Sequence, residues 1–385
     1  MNLKNYLYKI IVKEKRNEIM EYTNKVRITY ISVAKGIGII LVVIGHCTIF
    51  TYLKNYIYLF HMPLFFFISG YLFLDDSCQN IFHYTIKKIK RLYIPFLLCN
   101  LFALIFHQWF CKIGIYSSSE LFTSVGEFLK HVVKIFLCIK MEDIVAPLWF
   151  LPIMMVTSII FALFRRMELI LTSPAYCRHI LIVLLYLLAF IMDPGGLKRA
   201  YILVALALLL FDLGYTAKQF AHFNIHKKGK YDLIIAVCTF LVLLIGARYK
   251  TINMIQMRIG DPISFVFFSI CGIYLTFYVA KNLTGWCGRV LAYCGDHSMI
   301  ILKWHYYVFA LVSVIQLAIN QNMVSGLHGF VMYSEMYGIF EVIIWSFLYC
   351  FAGISIPIIS GWVINLILKG RIERQLIGGI KSEKN

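Results

Sequence analysis

The chain has 385 residues, of which 61% are Ala, Val, Ile, Leu, Met, Phe, Trp, Tyr or Cys and only 15% are charged. Soluble domains run to about 45–50% apolar residues, so this composition excludes an ordinary soluble protein and a disordered chain and predicts an integral membrane protein. The formal charge of +18 is therefore weighed against a membrane first, and the placement of the basic residues decides whether a nucleic acid is needed to explain it.

Apolar runs of roughly 17–25 residues, enough to cross the hydrocarbon at 1.5 Å per residue, recur along the whole chain. Ten are expected: Ile28 to Phe50, Ile57 to Leu74, Leu92 to Trp109, Pro147 to Phe164, Ile180 to Met192, Ala200 to Ala217, Leu233 to Ala247, Ile263 to Ala280, Met299 to Ile319 and Tyr337 to Leu368. A further stretch, Leu121 to Ile139, carries Lys130, His131 and Lys134 among apolar residues and reads as an amphipathic helix on or re-entering the membrane. The fold class is thus an all-α integral membrane bundle of about ten transmembrane helices. Residues 1–27 form an N-terminal segment, 28–368 the transmembrane domain and 369–385 a tail.

With ten spans both termini share one side. The loop set containing the N-terminus holds 26 of the 37 Lys and Arg residues, so the positive-inside rule puts both termini in the cytoplasm. The charge is then mostly a topology signal, and no nucleic-acid partner is expected. The N-terminal segment lacks the short apolar core of a removable signal peptide, and 17 residues after Leu368 leave no room for an appended soluble domain. The eleven Cys are scattered without a C-x-x-C pair and read as small buried hydrophobes, with no metal site.

Ionisable groups inside lipid are costly, so each one in a span is a functional candidate. In the first span Lys35 and His46 are eleven residues apart, which puts them on one helix face about 16 Å apart in depth. A snorkelling Lys and a core His are the structural alternative. His61 opens the second span and lies at the same distance from the intervening turn as His46, so an antiparallel hairpin brings both imidazoles to one depth and one cavity. Pro63 and Gly70 loosen that helix. The cluster Lys87, Lys88, Lys90 and Arg91 precedes the third span; it suits anionic headgroups and equally the phosphates of a nucleotide-like ligand. Trp149 opens the fourth span, Lys303 and His305 interrupt the ninth, and Glu341 in the last is a possible counter-ion for these cations.

The order of these features resembles a known family. RITYISVAKGIGIILVVIGH from Arg27 to His46, followed by FHMPLFFFISGYLF from Phe60, is similar to the opening of the membrane acyltransferase-3 family, particularly its fucose 4-O-acetylase-like branch. Lys35 and His46 match that family's basic residue, ten intervening residues and His. Lys88 and Arg91 match its R-x-x-R element, and LWFLP at Leu148, FDLGYTAKQF at Phe211 and YCGDHSMIILKWH ending at His305 follow in order. One position departs: relatives carry an Asp where this chain has Ser32, so the role of that Asp is either lost or taken by another group.

The resemblance implies an O-acyltransferase of a bacterial cytoplasmic membrane. It moves an acetyl group from cytosolic acetyl-CoA, a substrate rather than a bound cofactor, to a hydroxyl of a cell-envelope or exported polysaccharide or a lipid-linked sugar. His46 and Lys35 are then the catalytic candidates, as general base or acyl relay and as charge stabiliser. Lys87, Lys88, Arg91 and Arg27 are donor-binding candidates, and His61, Trp149, Lys303 and His305 line the acceptor side or cavity. A transporter or flippase of anionic or glycolipid substrates, and an inactive relative, are the competing readings; the absence of paired half-repeats tells against transport.

Overall fold

The computed structural model describes residues 30–48, 50–220, 231–319, 330–332 and 337–382; Arg27 lies outside them. In chain order the helices are α1 (Tyr30–Cys47), α2 (Thr51–Tyr58), α3 (His61–Tyr71), α4 (Ile81–Lys88), α5 (Ile94–Ile105), α6 (His107–Lys112), α7 (Val125–Phe136), α8 (Phe150–Ile170), α9 (Ala175–Ile191), α10 (Leu197–Gln219), α11 (Asp232–Tyr249), α12 (Pro262–Asn282), α13 (Gly285–Asp296), α14 (Ser298–Ile319) and α15 (Ile339–Ser382). Strand pairing among the described residues is limited to one bridge between Asn253 and Arg258.

Among the described residues seven helices are long and apolar enough to cross a membrane: α1, the run Asp143–Ile170 ending in α8, Lys198–Gln219 of α10, α11, α12, α14 and Ile339–Ile364 of α15. The other three expected spans are broken or short. The second divides into α2 and α3 at Phe60, whose φ of −147° leaves the helical region. Pro63 accounts for this, because it has no N–H to continue a helix from upstream. The third runs from α4 through a π-turn at Ile89–Tyr93 into α5 and stops at Phe106, and α9 has 17 residues. The amphipathic segment is α7, with only His131 and Ile135 buried. The last span continues through residues 369–382 as one helix with Pro357 inside it.

Helix α10 is the hub, packing on α3, α8 and α9, while α14 pairs with α15 and α11 with α12. Its contact with α3 needs glycine on both sides: a methyl group on Gly70 would overlap the Phe211 carbonyl, and one on Gly214 the Phe67 carbonyl. Beside this contact, in the same stretch of α10, a charge network joins three helices. Arg178 pairs with Glu168 and with Asp212 at 2.9 Å, Arg165 reaches Glu168 at 2.6 Å and Asp75 at 3.1 Å, and Tyr215 donates to Asp75 at 2.7 Å. Asp212 and Tyr215 come from the FDLGYTAKQF segment, so that motif serves packing. Each carboxylate has a cationic partner, which offsets the desolvation that burial imposes.

A second buried cluster fixes the segment leading into α8. Glu142 Oε2 lies 2.8 Å from His107 Nδ1, and its Oε1 lies 2.8 Å from His131 Nε2. The Glu142 backbone N–H donates to Asn100 at 2.9 Å, and His107 Nε2 meets the Glu120 carbonyl at 2.9 Å. Burial by itself raises the Glu142 carboxyl, but the two imidazoles outweigh it and hold the group below the ordinary carboxylate range. This clamp anchors the 3-10 turn Asp143–Trp149.

Removing one partner of a buried pair costs about 3–5 kcal/mol, so Glu142→Ala should lower the melting temperature of the detergent-purified protein by several degrees. Because the folded carboxyl is depressed, the clamp's contribution is complete above about pH 4.3, the unfolded value, and is lost as the pH falls through the folded one. A difference between wild type and variant that stays constant from pH 7 to pH 3 would contradict this.

Candidate active site

The break before α3 lets the chain fold back against the end of α1 and opens a cavity there. Its lining comes from three parts of the chain: His46, Tyr58 and His61; Pro147 and Trp149; and Asn253 to Ile255. Each part has its own support. Tyr58 donates to the Gly45 carbonyl at 3.3 Å and stands between the histidines, 4.8 Å from the His61 ring and 6.4 Å from the His46 ring. Trp149 ends the turn that Glu142 anchors. The Asn253 loop is closed by paired backbone bonds to Arg258 of 2.6 and 3.0 Å, and Arg199 at the start of α10 bonds the Ile255 carbonyl.

Hydrogen bonds orient the three imidazoles. His61 Nδ1 lies 2.9 Å from the Ile57 carbonyl and His305 Nδ1 lies 3.0 Å from the Ile301 carbonyl, each one turn back on the chain. A carbonyl only accepts, so in both rings Nδ1 carries the proton and the neutral ring presents Nε2 as an acceptor. His305 Nε2 is buried and has no described hydrogen-bond partner. His46 differs, because its Nδ1 meets the hydroxyl of Tyr306 at 2.9 Å. The Tyr306 ring is perpendicular to His46 at 5.1 Å and packs on Phe330 at 4.9 Å. His305 lies behind His46, ring centroids 5.6 Å apart. His46 thus has one nitrogen fixed by a phenol and the other available on the cavity side. Among the described residues no group of three or more His, Cys, Asp or Glu is arranged to hold a metal ion.

A second recess lies at the other end of α1. It is a groove lined by His83, Ile86, Lys87, Lys90 and Arg91, residues that share one face of α4 and the π-turn. Lys35, half-buried on α1, is within electrostatic reach of Arg91 and of Asp296 on α13. Lys35 therefore stands between the groove and His46. Ser32, in place of the expected Asp, donates to Asp296 Oδ1 at 2.6 Å.

The model of the acyltransferase domain, acyltransferase-3, matches residues 28–362. The chain belongs to the acyltransferase-3 family. No curated protein and no solved structure matches it. Family membership and the seven apolar helices make the protein a multi-pass membrane acyltransferase.

In this acyltransferase His46, His61 and Trp149 line one cavity with His305 adjacent, and Lys87 and Arg91 line one groove. Other expected site residues stand elsewhere. Lys88 is on the opposite face of α4, its ammonium 5.1 Å over the Tyr84 ring, because positions 84 and 88 are one turn apart. Lys303 is half-buried on α14 and lines neither recess. Glu341 pairs with none of these cations and accepts from the Gly338 N–H at the start of α15, at 2.9 Å. Sequence reasoning missed Tyr306, Tyr58, the Asn253 loop, His83 and Asp296. Tyr306 directly follows His305, and only the fold turns it toward His46.

Burial first, and then the charges of Arg91 and Lys87, push Lys88 down to about 8. Amine acylation of Lys88, followed by peptide mass spectrometry, should therefore level off just above pH 8, where an ordinary lysine continues to rise past about pH 10. A midpoint near 10 would show Lys88 to be solvated.

Proposed function

We propose that the protein transfers an acetyl group from cytosolic acetyl-CoA to a hydroxyl of a cell-envelope or exported polysaccharide, or of a lipid-linked sugar, in a bacterial cytoplasmic membrane. One observation carries this reading: His46, with Nδ1 committed to Tyr306, faces a cavity at one end of a helix whose other end meets a basic groove. The groove suits the phosphates of coenzyme A, for which Arg91 offers a bidentate fork and Lys87 and Lys90 point charges. The motif order of the fucose 4-O-acetylase-like branch favours a sugar hydroxyl, and Trp149 and Tyr58 give the cavity aromatic faces for a sugar ring.

In this mechanism the acceptor O–H breaks as its proton passes to His46 Nε2, and the oxygen bonds to the thioester carbonyl carbon. The C–S bond then breaks, and the coenzyme A thiolate takes the proton from His46. Acceptor and acetyl-CoA become acetyl ester and free thiol with no net proton change. A sugar hydroxyl is a poor nucleophile near pH 7, and an imidazole is the side chain suited to deprotonate it there. For Nε2 to act as base, Nδ1 must carry the proton and donate it to the Tyr306 oxygen, which as a hydroxyl can accept it and so hold the ring in place for that role. Lys35 lies about 16 Å along the helix from His46, too far for one reacting carbon to touch both. Its place is on the donor path, beside the phosphates or the pantetheine arm.

Purified protein given radiolabelled acetyl-CoA and undecaprenyl-linked sugars or envelope glycans should label the acceptor. His46→Ala should reduce transfer by about 10²–10⁴-fold. Tyr306→Phe should lower kcat by roughly tenfold with little change in KM, since one neutral hydrogen bond is worth about 1 kcal/mol. Lys87→Ala with Arg91→Ala should raise the KM for acetyl-CoA at unchanged kcat. Full transfer by His46→Ala would remove the base, and no labelled hydroxyl with any acceptor would remove the reading itself.

A further inference from the structure

Helix α13 crosses α1 at a notch made by two glycines. A methyl group on Gly36 would overlap the Leu291 carbonyl, and one on Gly295 would overlap the Ser32 carbonyl. With the backbones in van der Waals contact, Asp296, the last residue of α13, arrives beside α1. Its carboxylate accepts a 2.6 Å hydrogen bond from Ser32 Oγ, and Ser32 itself is buried. Ser32 and Lys35 are three residues apart on one helix, so the bond holds an anionic oxygen over the turn that carries Lys35.

Two charged groups act on the Lys35 ammonium. Arg91, from the π-turn after α4, repels it; Asp296 attracts it. The two do not form a contact ion pair, so Asp296 works through space while its geometry is set by Ser32. An opposing charge steadies an ammonium that is half-buried among apolar helices and repelled by an arginine. Asp296 is exposed, which keeps the interaction modest.

We propose that Asp296, oriented by Ser32, is a positioning residue that holds Lys35 charged and directed along the donor path. A carboxylate delivered from α13 thereby does for Lys35 what one placed a turn away on α1 would do. This rests on the reading of Lys35 as a donor-path cation. It assigns no contact with substrate to Asp296.

The test uses the full-length protein, Asp296→Asn, and Asp296→Asn combined with Ser32→Asp. The Asn side chain still accepts from Ser32, so α13 stays docked, and an unchanged melting temperature verifies this. Only a neutral amine is acylated, so the labelling of Lys35 by an amine-reactive acetylating reagent at fixed pH reports how firmly its proton is held. Labelling should rise about two- to fivefold in Asp296→Asn, the range expected for one partly exposed pair, and should return toward wild type when Ser32→Asp restores a carboxylate on α1. The specificity constant for acetyl-CoA should fall and recover in the same order. Equal labelling of Lys35 in all three proteins, or a loss that Ser32→Asp does not repair, would overturn the proposal. If wild type transfers no acetyl group, the functional reading fails, and the labelling series still decides the role of Asp296.

Discussion

An imidazole inside a membrane bundle has two ring nitrogens and few places to send them, and the way three histidines meet that constraint shapes this protein's site. His61 and His305 each turn Nδ1 back to the carbonyl one turn earlier in their own helix. That arrangement is local, needs no other element and fixes the tautomer. His46 is the exception, because its Nδ1 crosses to the hydroxyl of Tyr306 on α14. The bond ties the end of α1 to α14 and leaves Nε2 on the cavity side. The Tyr58 ring, the Trp149 turn and the Asn253 loop then make the walls around that nitrogen.

Helix α1 connects the two recesses because it is held on both sides. Near one end Gly36 and Gly295 bring α13 against its backbone; near the other the α2–α3 turn folds over His46. A rigid helix with a cation low on one face and an imidazole high on the same face has a fixed spacing, about 16 Å by helical rise. Under the proposed function, that spacing would keep donor anchoring apart from chemistry. The buried pairs of Glu142 with His107 and His131, and of Arg178 with Glu168 and Asp212, hold the surrounding helices where lipid supplies no hydrophobic drive for helix association.

Much of this was legible in the sequence. Composition and run length pointed to an all-helical membrane bundle, and the helix Tyr30–Cys47 carries both Lys35 and His46 as the first apolar run implied. The placement of His61 followed from counting residues about a turn. Run length could not see that Pro63 divides the second run or that the third stops at Phe106, since hydropathy ignores where backbone N–H groups are missing. The basic cluster read as one unit, yet the helix face separates Lys88 from Lys87 and Arg91. Tyr306, the Asn253 loop and Asp296 reach the site from more than 190 residues away in sequence; only tertiary packing brings them there. The departure at Ser32 was visible, whereas the carboxylate that its hydroxyl holds was not.

The central claim is that the basic groove and the His46 cavity are the two ends of one path for an acyl-CoA donor. A cryo-electron microscopy structure with a non-transferable acetyl-CoA analogue tests it most directly. The account predicts phosphate density against Lys87, Lys90 and Arg91, the pantetheine arm passing Lys35, and the acyl carbonyl within van der Waals reach of His46 Nε2. Phosphates bound away from that groove, or an acyl end that stops short of the cavity, would contradict it.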